Sequence, residues 1–297
     1  MKTLVAKILN SLGITPLLGR INRGLTGRAH IRVVNYHGTA EKEMGLFEQH
    51  LQYFQKHYVA ATPEDLKSLL EGNPWPYERP GIILTFDDAQ RTNYDFARPL
   101  LNQYGFSGWF FVPTEYLTIP VSEQMDRVRD EEFRMRHRYE DGRQWMTQAE
   151  VLALHREGHV IGSHTHTHRE ARLGDSRSVV RREMLESRQQ LDQLLGTTPD
   201  SFAWVRGMEV SYTNLTAQEI AAAGYQYAFL TMSAPVTATT HPLQLHRTNL
   251  DTRWGLPLLR LQLSGIIDWK YNKPRRRVNA LTRVDPVPAP TPAGVLN

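Results

Sequence analysis

Two short stretches of this sequence carry side chains that could hold a metal ion between them. The stretch GIILTFDDAQ ends an apolar run with two adjacent carboxylates, Asp87 and Asp88. The stretch HVIGSHTHTH ends a second apolar run with three alternating imidazoles, His164, His166 and His168. Carboxylates and imidazoles are common ligands of divalent transition metals. Because the chain has no cysteine, any metal site must be built from His, Asp or Glu.

The spacing within each stretch suggests how such a site would work. Two like charges at a strand end repel, and a divalent cation relieves this by neutralising one of them. Adjacent side chains there point in different directions, so one Asp can bind metal while the other stays free as a base. His164 and His168 share a face in a helical turn, whereas all three histidines share a face in an extended segment. One Asp and two His complete a facial triad with open positions. Paired Asp residues also serve as helix caps or turns, which is the structural alternative.

The rest of the chain alternates between predicted strands and predicted helices, which would position these side chains. GIILTF is apolar on both faces, as is typical of a parallel strand covered by helices. TPEDLKSLLEG indicates a helix with Thr62 as cap, Pro63 at its first position and Gly72 as its stop. About seven strand–helix units predict an α/β protein with a parallel barrel. In such folds the carboxyl ends of the strands share one rim, where the two stretches would meet.

We predict one main domain, residues 29–272, with an insertion and two flanking segments. Residues 1–28 are amphipathic and basic, and they predict either a helix that lies on an anionic membrane or one that packs on the domain. Residues 118–144 are charge-rich and interrupt the strand–helix alternation, which predicts an insertion that can form a lid or substrate wall. Residues 273–297 combine a basic cluster with a Pro-rich run and predict a disordered tail.

Composition and charge exclude several classes of protein. The formal charge of +4 and the pI of about 9.3 are too modest to predict a nucleic-acid partner. No apolar run approaches the ~20 residues of a membrane span. Lys7 and Asn10 interrupt the apolar start, so it does not read as a signal peptide. We therefore expect a cytoplasmic protein or one held peripherally at the inner face of a membrane.

The two stretches resemble the motifs of a known enzyme family. TFDDA is similar to the TFDDG-type motif of polysaccharide deacetylases with the NodB homology fold (carbohydrate esterase family 4). SHTHTH matches that family's H-(S/T)-x-x-H motif through His164, Thr165 and His168. The resemblance continues in VVNYH, QWMTQAEVLALHREGHVIGSH and SFAWVRG, and it covers most of residues 31–268. It implies a distorted (β/α)7 barrel.

The resemblance also implies an activity. It predicts a metal-dependent hydrolase that removes N-acetyl groups from an amino-sugar-containing polysaccharide or lipid-linked glycan, in exopolysaccharide or cell-envelope synthesis. Asp87 would be the catalytic base. Asp88, His164 and His168 would hold the metal, with Zn²⁺ favoured and Co²⁺, Ni²⁺ or Mn²⁺ as alternatives. Water activated by the metal would attack the N-acetyl carbonyl, and a general acid would protonate the leaving amine.

Farther along the chain the sequence departs from the family pattern. FAWVRG stands where the family often has a Pro–Tyr–Gly element, with Arg206 near the usual Tyr. Arg206 can orient Asp87, contact substrate or form a surface ion pair. LQLHR is the loose counterpart of a late Leu-x-x-His element, which makes His246 the predicted general acid, with a packed strand residue as the alternative. Arg247 would match an Arg that many exopolysaccharide-type members carry on this strand.

Three further positions complete the predicted site. His37 ends the first strand and is expected to line the site. His166 falls at a variable position of the motif, so we place it toward substrate or solvent rather than on the metal. Ala89 replaces the family's usual Gly after the acid pair. These departures leave two alternative functions open, namely a sugar-binding protein that keeps the metal site without turnover, and a hydrolase that acts on another acyl or cyclic amide.

Overall fold

The core of the protein is a closed barrel of parallel strands. The computed structural model describes residues 2–130, 137 and 139–281. The strands in this part of the chain are β1 (Ile31–Tyr36), β2 (Val59–Ala60), β3 (Gly81–Phe86), β4 (Gly108–Val112), β5 (Val160–Ser163), β6 (Ser201–Ala203), β7 (Tyr227–Leu230) and β8 (Leu245–Asn249). Around the barrel the order is β1, β3, β4, β5, β6, β7 and β8, and β1 pairs with both β3 and β8. The short β2 adds to the first residues of β3. The predicted seven-stranded barrel is confirmed.

Helices connect the strands and cover the outside of the barrel. Those in the described residues are α1 (Lys2–Ser11), α2 (Ile14–Thr26), α3 (Met44–His57), α4 (Pro63–Leu70), α5 (Arg98–Tyr104), α6 (Val121–Asp130), α7 (Gln148–Arg156), α8 (Arg177–Leu195), α9 (Asn214–Ala222), α10 (Leu256–Leu263), α11 (Ile266–Lys270) and α12 (Asn272–Leu281). The predicted cap of α4 is present, because the Asp65 N–H donates to Thr62 Oγ1 at 3.1 Å and the Thr62 N–H donates to Asp65 Oδ2 at 3.0 Å.

Alternate residues of each strand face two separate cores, as strand geometry requires. On β1, Ile31 and Val33 belong to a cluster with Trp109 and Phe111, which fills the barrel interior. Val34 and Tyr36 belong to a different cluster, which includes the apolar side chains of α3 and α5. This alternation explains why the strands read as continuous apolar runs, since both of their faces are buried.

The segments outside the predicted core differ from expectation in one respect. Residues 273–281 are helical rather than disordered, because α12 packs on the barrel. Val278 is fully buried, and its carbonyl accepts from Gln244 Nε2 at 3.0 Å. Arg277 Nη2 donates to Glu209 Oε2 at 2.7 Å. The remainder of the predicted tail, residues 282–297, lies outside the described residues.

The insertion contains one described helix, α6, and the N-terminal segment contains two, α1 and α2. Within residues 118–144, α6 lies beside the histidine stretch, because Arg127 Nη2 donates to the Thr167 carbonyl at 3.2 Å. Residues 131–136 and 138 lie outside the description. At the start of the chain, α1 and α2 both contact α10. No single described helix is long and apolar enough to cross a membrane. Thr3–Ser11 and Ile14–Asn22 reach that length and composition only together, and the chain bends by 82° between them.

Candidate active site

A cleft of about 690 Å³ opens at the carboxyl ends of the barrel strands. The turns after β3 and β5 supply its acidic and imidazole side chains, as the parallel topology predicts. The remaining walls, which include the His37 imidazole, come from the ends of β1 and β8 and from the turns after β6 and β7. The residues that line the cleft are Asn35, His37, Asp87, Asp88, His164, Thr167, His168, Arg169, Glu170, Arg172, Val205, Arg206, Thr231 and Asn249. No described residue of the insertion is among them.

Asp88, His164 and His168 converge at the floor of this cleft. One ligand atom from each lies within 4.8 Å of the others. Asp88 Oδ1 is 3.6 Å from His164 Nε2 and 3.2 Å from His168 Nε2. The backbone has a left-handed conformation at Asp88, with φ of 72°, and at His168, with φ of 60°. Such conformations cost roughly 1 kcal/mol or more outside glycine and cluster at functional sites. Here they turn the side chains inward from the strand ends.

The tautomer of His164 shows that the three residues suit a cation. His164 Nδ1 donates to the Ala203 carbonyl at 2.7 Å, and a carbonyl can only accept. The neutral ring therefore presents the lone pair of Nε2 to the Asp88 carboxylate. A lone pair and a carboxylate at 3.6 Å repel each other unless a proton or a metal ion lies between them. Two imidazoles and one carboxylate are suitable ligands for a divalent transition metal.

Asp87 has a different environment from its neighbour, although both are buried. Arg247 holds it in a bidentate ion pair, with Nη1 2.6 Å from Oδ1 and Nη2 2.9 Å from Oδ2. Asn35 Nδ2 donates to Asp87 Oδ2 at 3.0 Å. Arg247 Nη1 also donates to Asn35 Oδ1 at 3.0 Å and to Thr85 Oγ1 at 3.2 Å. Because Arg247 is fully buried, this network fixes the position of the Asp87 carboxylate.

Both carboxyls are held in the ionised form. Burial by itself would raise the pKa of Asp87, but the charge of Arg247, assisted by His164, outweighs burial and lowers it. Burial would likewise raise the pKa of Asp88, but its contacts with the imidazoles of His164 and His168 hold it well below its usual value. The site therefore separates two carboxylates into one surrounded by imidazoles and one paired with a guanidinium.

Glu183 on α8 holds the histidine stretch in place from behind. Its Oε2 accepts from the backbone N–H of His166 at 3.0 Å and of Thr167 at 2.8 Å. Its Oε1 accepts from Thr167 Oγ1 at 2.9 Å. Since these N–H groups lie between the two imidazoles that face Asp88, the Glu183 carboxylate determines the shape of the turn that carries them.

Comparison with known families shows which family the chain belongs to. The family model described as polysaccharide deacetylase matches residues 76–228, which is more than half of the chain and includes both motifs. The chain belongs to the polysaccharide deacetylase family. Members of the family are hydrolases that act on carbon–nitrogen bonds other than peptide bonds. A search of curated proteins found no match.

Solved structures of deacetylases share the fold at low sequence identity. The Streptococcus pyogenes deacetylase PplD in complex with acetate has a TM-score of 0.62 and 21% identity, over 80% of this chain and 99% of that one. IcaB from Ammonifex degensii has a TM-score of 0.62 and 17% identity, over 81% of this chain and 97% of that one. The BpsB deacetylase domain from Bordetella bronchiseptica has a TM-score of 0.58 and 19% identity, over 75% of this chain and 96% of that one.

The structure brings most of the predicted deacetylase residues together. Asp87, Asp88, His164 and His168 meet as the two motifs predict, and His37 lines the same cleft. Arg206 also lines the cleft, with a left-handed backbone at φ of 61°. Its side chain is 67% exposed, and Nε lies 3.3 Å from Glu170 Oε2, so it forms the ion pair that was one of its predicted alternatives.

Two predicted residues lie away from the cleft. His246 precedes Arg247 on β8, so its ring points to the opposite face of the strand. It is buried there beside Arg275, in a separate cavity. The prediction of His246 as general acid is therefore wrong, and the packed alternative holds. His166 also turns away from the cleft, with Nδ1 2.9 Å from Thr114 Oγ1 and Nε2 3.4 Å from Glu186 Oε2.

Sequence reasoning missed Asn35 and Glu183 and gave Arg247 no role toward Asp87. Arg247 and Asn35 did carry a signal, because each is a polar residue inside an otherwise apolar or β-rich run at a strand end. Glu183 carried none, since it lies on a helix among other charged residues.

Proposed function

We propose that this protein is a metal-dependent N-deacetylase that acts on an amino-sugar-containing polysaccharide or a lipid-linked glycan. The observation that supports this most directly is the different pairing of the two adjacent carboxylates. Asp88 faces the imidazoles of His164 and His168. Asp87 is held by Arg247, and its Oδ2 lies 3.9 Å from His164 Nε2. Asp88 can thus bind a cation while Asp87 accepts a proton. Amide hydrolysis by metal-activated water needs one acid in each of these roles.

The residues would divide the chemistry among them. Asp88, His164 and His168 would hold the cation, with Zn²⁺ favoured by the mixed nitrogen and oxygen ligands. When bound, the ion would supply Lewis acidity and lower the pKa of water. Asp87, ionised and oriented by Arg247 and Asn35, would accept the proton from that water.

The general acid must come from another group than His246. Among the cleft residues, His37 has both the chemistry and the place for it. It is exposed at the end of β1 and lines the same cleft as Asp87 and Asp88. An imidazolium in that position would protonate the amine that leaves when the amide is cleaved.

The cleft is open and polar, which suits a hydrated sugar chain. Arg169, Arg172 and Arg206 surround its mouth and would donate to sugar hydroxyl and amide oxygens. The N-acetylated glycan is therefore the proposed substrate partner. A membrane surface is proposed as a second partner, contacted through α1 and α2.

The test measures acetate release and bound metal together, with the full chain and N-acetylglucosamine oligosaccharides as substrate. Asp87→Asn should keep the metal and lower kcat by about 10²–10⁴. Asp88→Asn should lose both the metal and turnover. His246→Gln is the matched control, and it should keep the metal and the wild-type kcat if folded. Oligosaccharide binding without acetate release by the metal-loaded wild type would instead indicate a sugar-binding protein and reject the proposal.

A further inference from the structure

Helices α1 and α2 present an apolar surface to solvent. Seven aliphatic side chains between Leu4 and Ile21 are 37% to 67% exposed, namely Leu4, Val5, Ile8, Leu12, Ile14, Leu17 and Ile21. The opposite side of the pair is anchored, because Ala6 and Thr15 are buried and both helices contact α10. The sequence predicted either a helix on a membrane or a helix packed on the domain. The two helices do pack on the domain, but most of their apolar side chains remain exposed to solvent. Exposed aliphatic side chains in this number mark an interaction surface.

The other end of the described chain extends this surface. Gly265, directly before α11, lies against Asn22 of α2, where a side chain at Gly265 would collide with the Asn22 amide. The start of α11 is thus next to the second half of α2. On α11, Ile266 is 42% exposed and Trp269 is 71% exposed. Tryptophan is enriched at membrane–water interfaces, because its ring is apolar and its N–H is polar.

The charge of these two segments indicates what covers the surface. The first 40 residues contain six Lys and Arg and no Asp or Glu. Residues 266–281 contain five Lys and Arg, and their one acidic residue, Asp268, is buried in a pair with Arg32. Lys7, Arg20 and Lys270 are exposed beside the apolar side chains. The exposed charged residues described on α1, α2 and α11 are all cations, which makes this apolar face complementary to anionic lipid, whereas a face that binds a protein more often carries both signs of charge.

We propose that α1, α2 and α11 form one docking surface for an anionic lipid bilayer, with the helices lying in the interface rather than crossing it. The 82° bend between α1 and α2 agrees with helices that lie along a surface. The aliphatic side chains and Trp269 insert below the headgroups, and the exposed cations contact lipid phosphates.

This surface lies away from the catalytic cleft. The second half of α2 borders a cavity lined by His30, Tyr58 and Pro80, which directly precede β1, β2 and β3. These residues mark the amino-terminal edge of the barrel, and the cleft is at the carboxyl edge. A protein docked through α2 and α11 therefore keeps its cleft open to water. Docking needs no catalysis, so its test is independent of the proposed activity.

The test is flotation of the full chain with vesicles of phosphatidylcholine alone or of phosphatidylcholine and phosphatidylglycerol in equal amounts. We expect binding to the anionic vesicles that weakens as salt is added. Lys7→Gln, Arg20→Gln and Lys270→Gln should each lower the partition coefficient roughly fivefold on anionic vesicles. Leu17→Asp and Trp269→Asp should remove most binding. Leu173→Asp is the matched control, since Leu173 is 89% exposed next to the cleft residue Arg172 and should bind like wild type.

Circular dichroism and urea unfolding would show that each variant is folded. Three results would overturn the proposal. The wild type could fail to float with anionic vesicles, or Leu173→Asp could lose binding as strongly as Trp269→Asp. Light scattering could also show a dimer that Trp269→Asp dissociates, without vesicle binding, in which case the surface pairs with a second copy of the chain.

Discussion

Replacing Arg247 by Met tests the role assigned to Asp87. Arg247 is fully buried and binds both oxygens of the Asp87 carboxylate, at 2.6 Å and 2.9 Å. Methionine keeps much of the side-chain volume but removes the charge and all the donors. Asp87 would then keep the burial that raises its pKa while losing the strongest influence that lowers it.

The size of the effect follows from that pairing. A neighbouring Arg lowers the pKa of an Asp by about 1–3 units, so the pKa of Asp87 should rise by about that amount in the variant. A base works only when ionised. The acid limb of the pH profile of kcat/KM should therefore move to higher pH by about 1–3 units. Leaving one buried partner unpaired should also lower the free energy of unfolding by about 3–5 kcal/mol.

The barrel offers a matched control in a second buried Arg–Asp pair. Arg32 binds Asp268 with Nη1–Oδ1 and Nη2–Oδ2 distances of 2.9 Å and 2.8 Å, and both side chains are buried. This pair lies between the start of β1 and α11, away from the cleft. Arg32→Met should cost a similar free energy of unfolding, measured in urea, and leave the acid limb of kcat/KM unchanged.

Two results would refute the reasoning. An acid limb that stays in place in folded Arg247→Met would mean that Arg247 does not control the ionisation of the base, or that Asp87 is not the base. An equal shift in Arg32→Met would mean that the limb reports general loosening of the barrel. Arg247→Lys, which keeps the charge but not the bidentate geometry, should give an intermediate shift.

Three further predictions follow from other parts of the structure. Glu183→Gln should weaken metal binding about 10–100-fold by isothermal titration, because it disturbs the turn between the two imidazoles. Glu186→Gln, which removes an exposed ion pair with Arg182 and a contact to the outward ring of His166, should have little effect. Burial lowers the pKa of His50 from 6.5 to about 4. Between these two pH values the unfolded chain is protonated at His50 and the native state is not. The titration of His50 alone should lower the free energy of unfolding by about 3 kcal/mol as the pH drops from 6.5 to 4, so the total fall should be smaller by about that amount in His50→Gln. Gly162→Ala places a methyl group 2.5 Å from a ring carbon on β4 and 2.9 Å from a carbonyl oxygen on β6, and should cost about 1–3 kcal/mol in urea unfolding. Gly45→Ala, in open space on α3, should be neutral or stabilising by up to ~1 kcal/mol, and an equal loss in both variants would contradict the clash.

The sequence alone was sufficient to predict the barrel and the convergence of its candidate metal ligands. Each of these depends on a few neighbouring residues, as in the strand-end motifs that contain Asp88 and His164 or the Thr62 cap of α4. Once the strands are known to be parallel, their carboxyl ends must share one rim. The position of these side chains then needs no knowledge of distant packing.

Only the tertiary structure decided which residue of β8 serves the site. His246 and Arg247 are adjacent, and a shift of one residue in the register of β8 would exchange the faces that they occupy. Arg247 reaches Asp87 across 160 residues of sequence, through closure of the barrel by the pairs of β1 with β3 and β8. Likewise the basic sequence of α12 forms a helix because Val278 is buried against the barrel. Contacts of this kind depend on which surfaces the whole chain leaves open, and no local pattern encodes them.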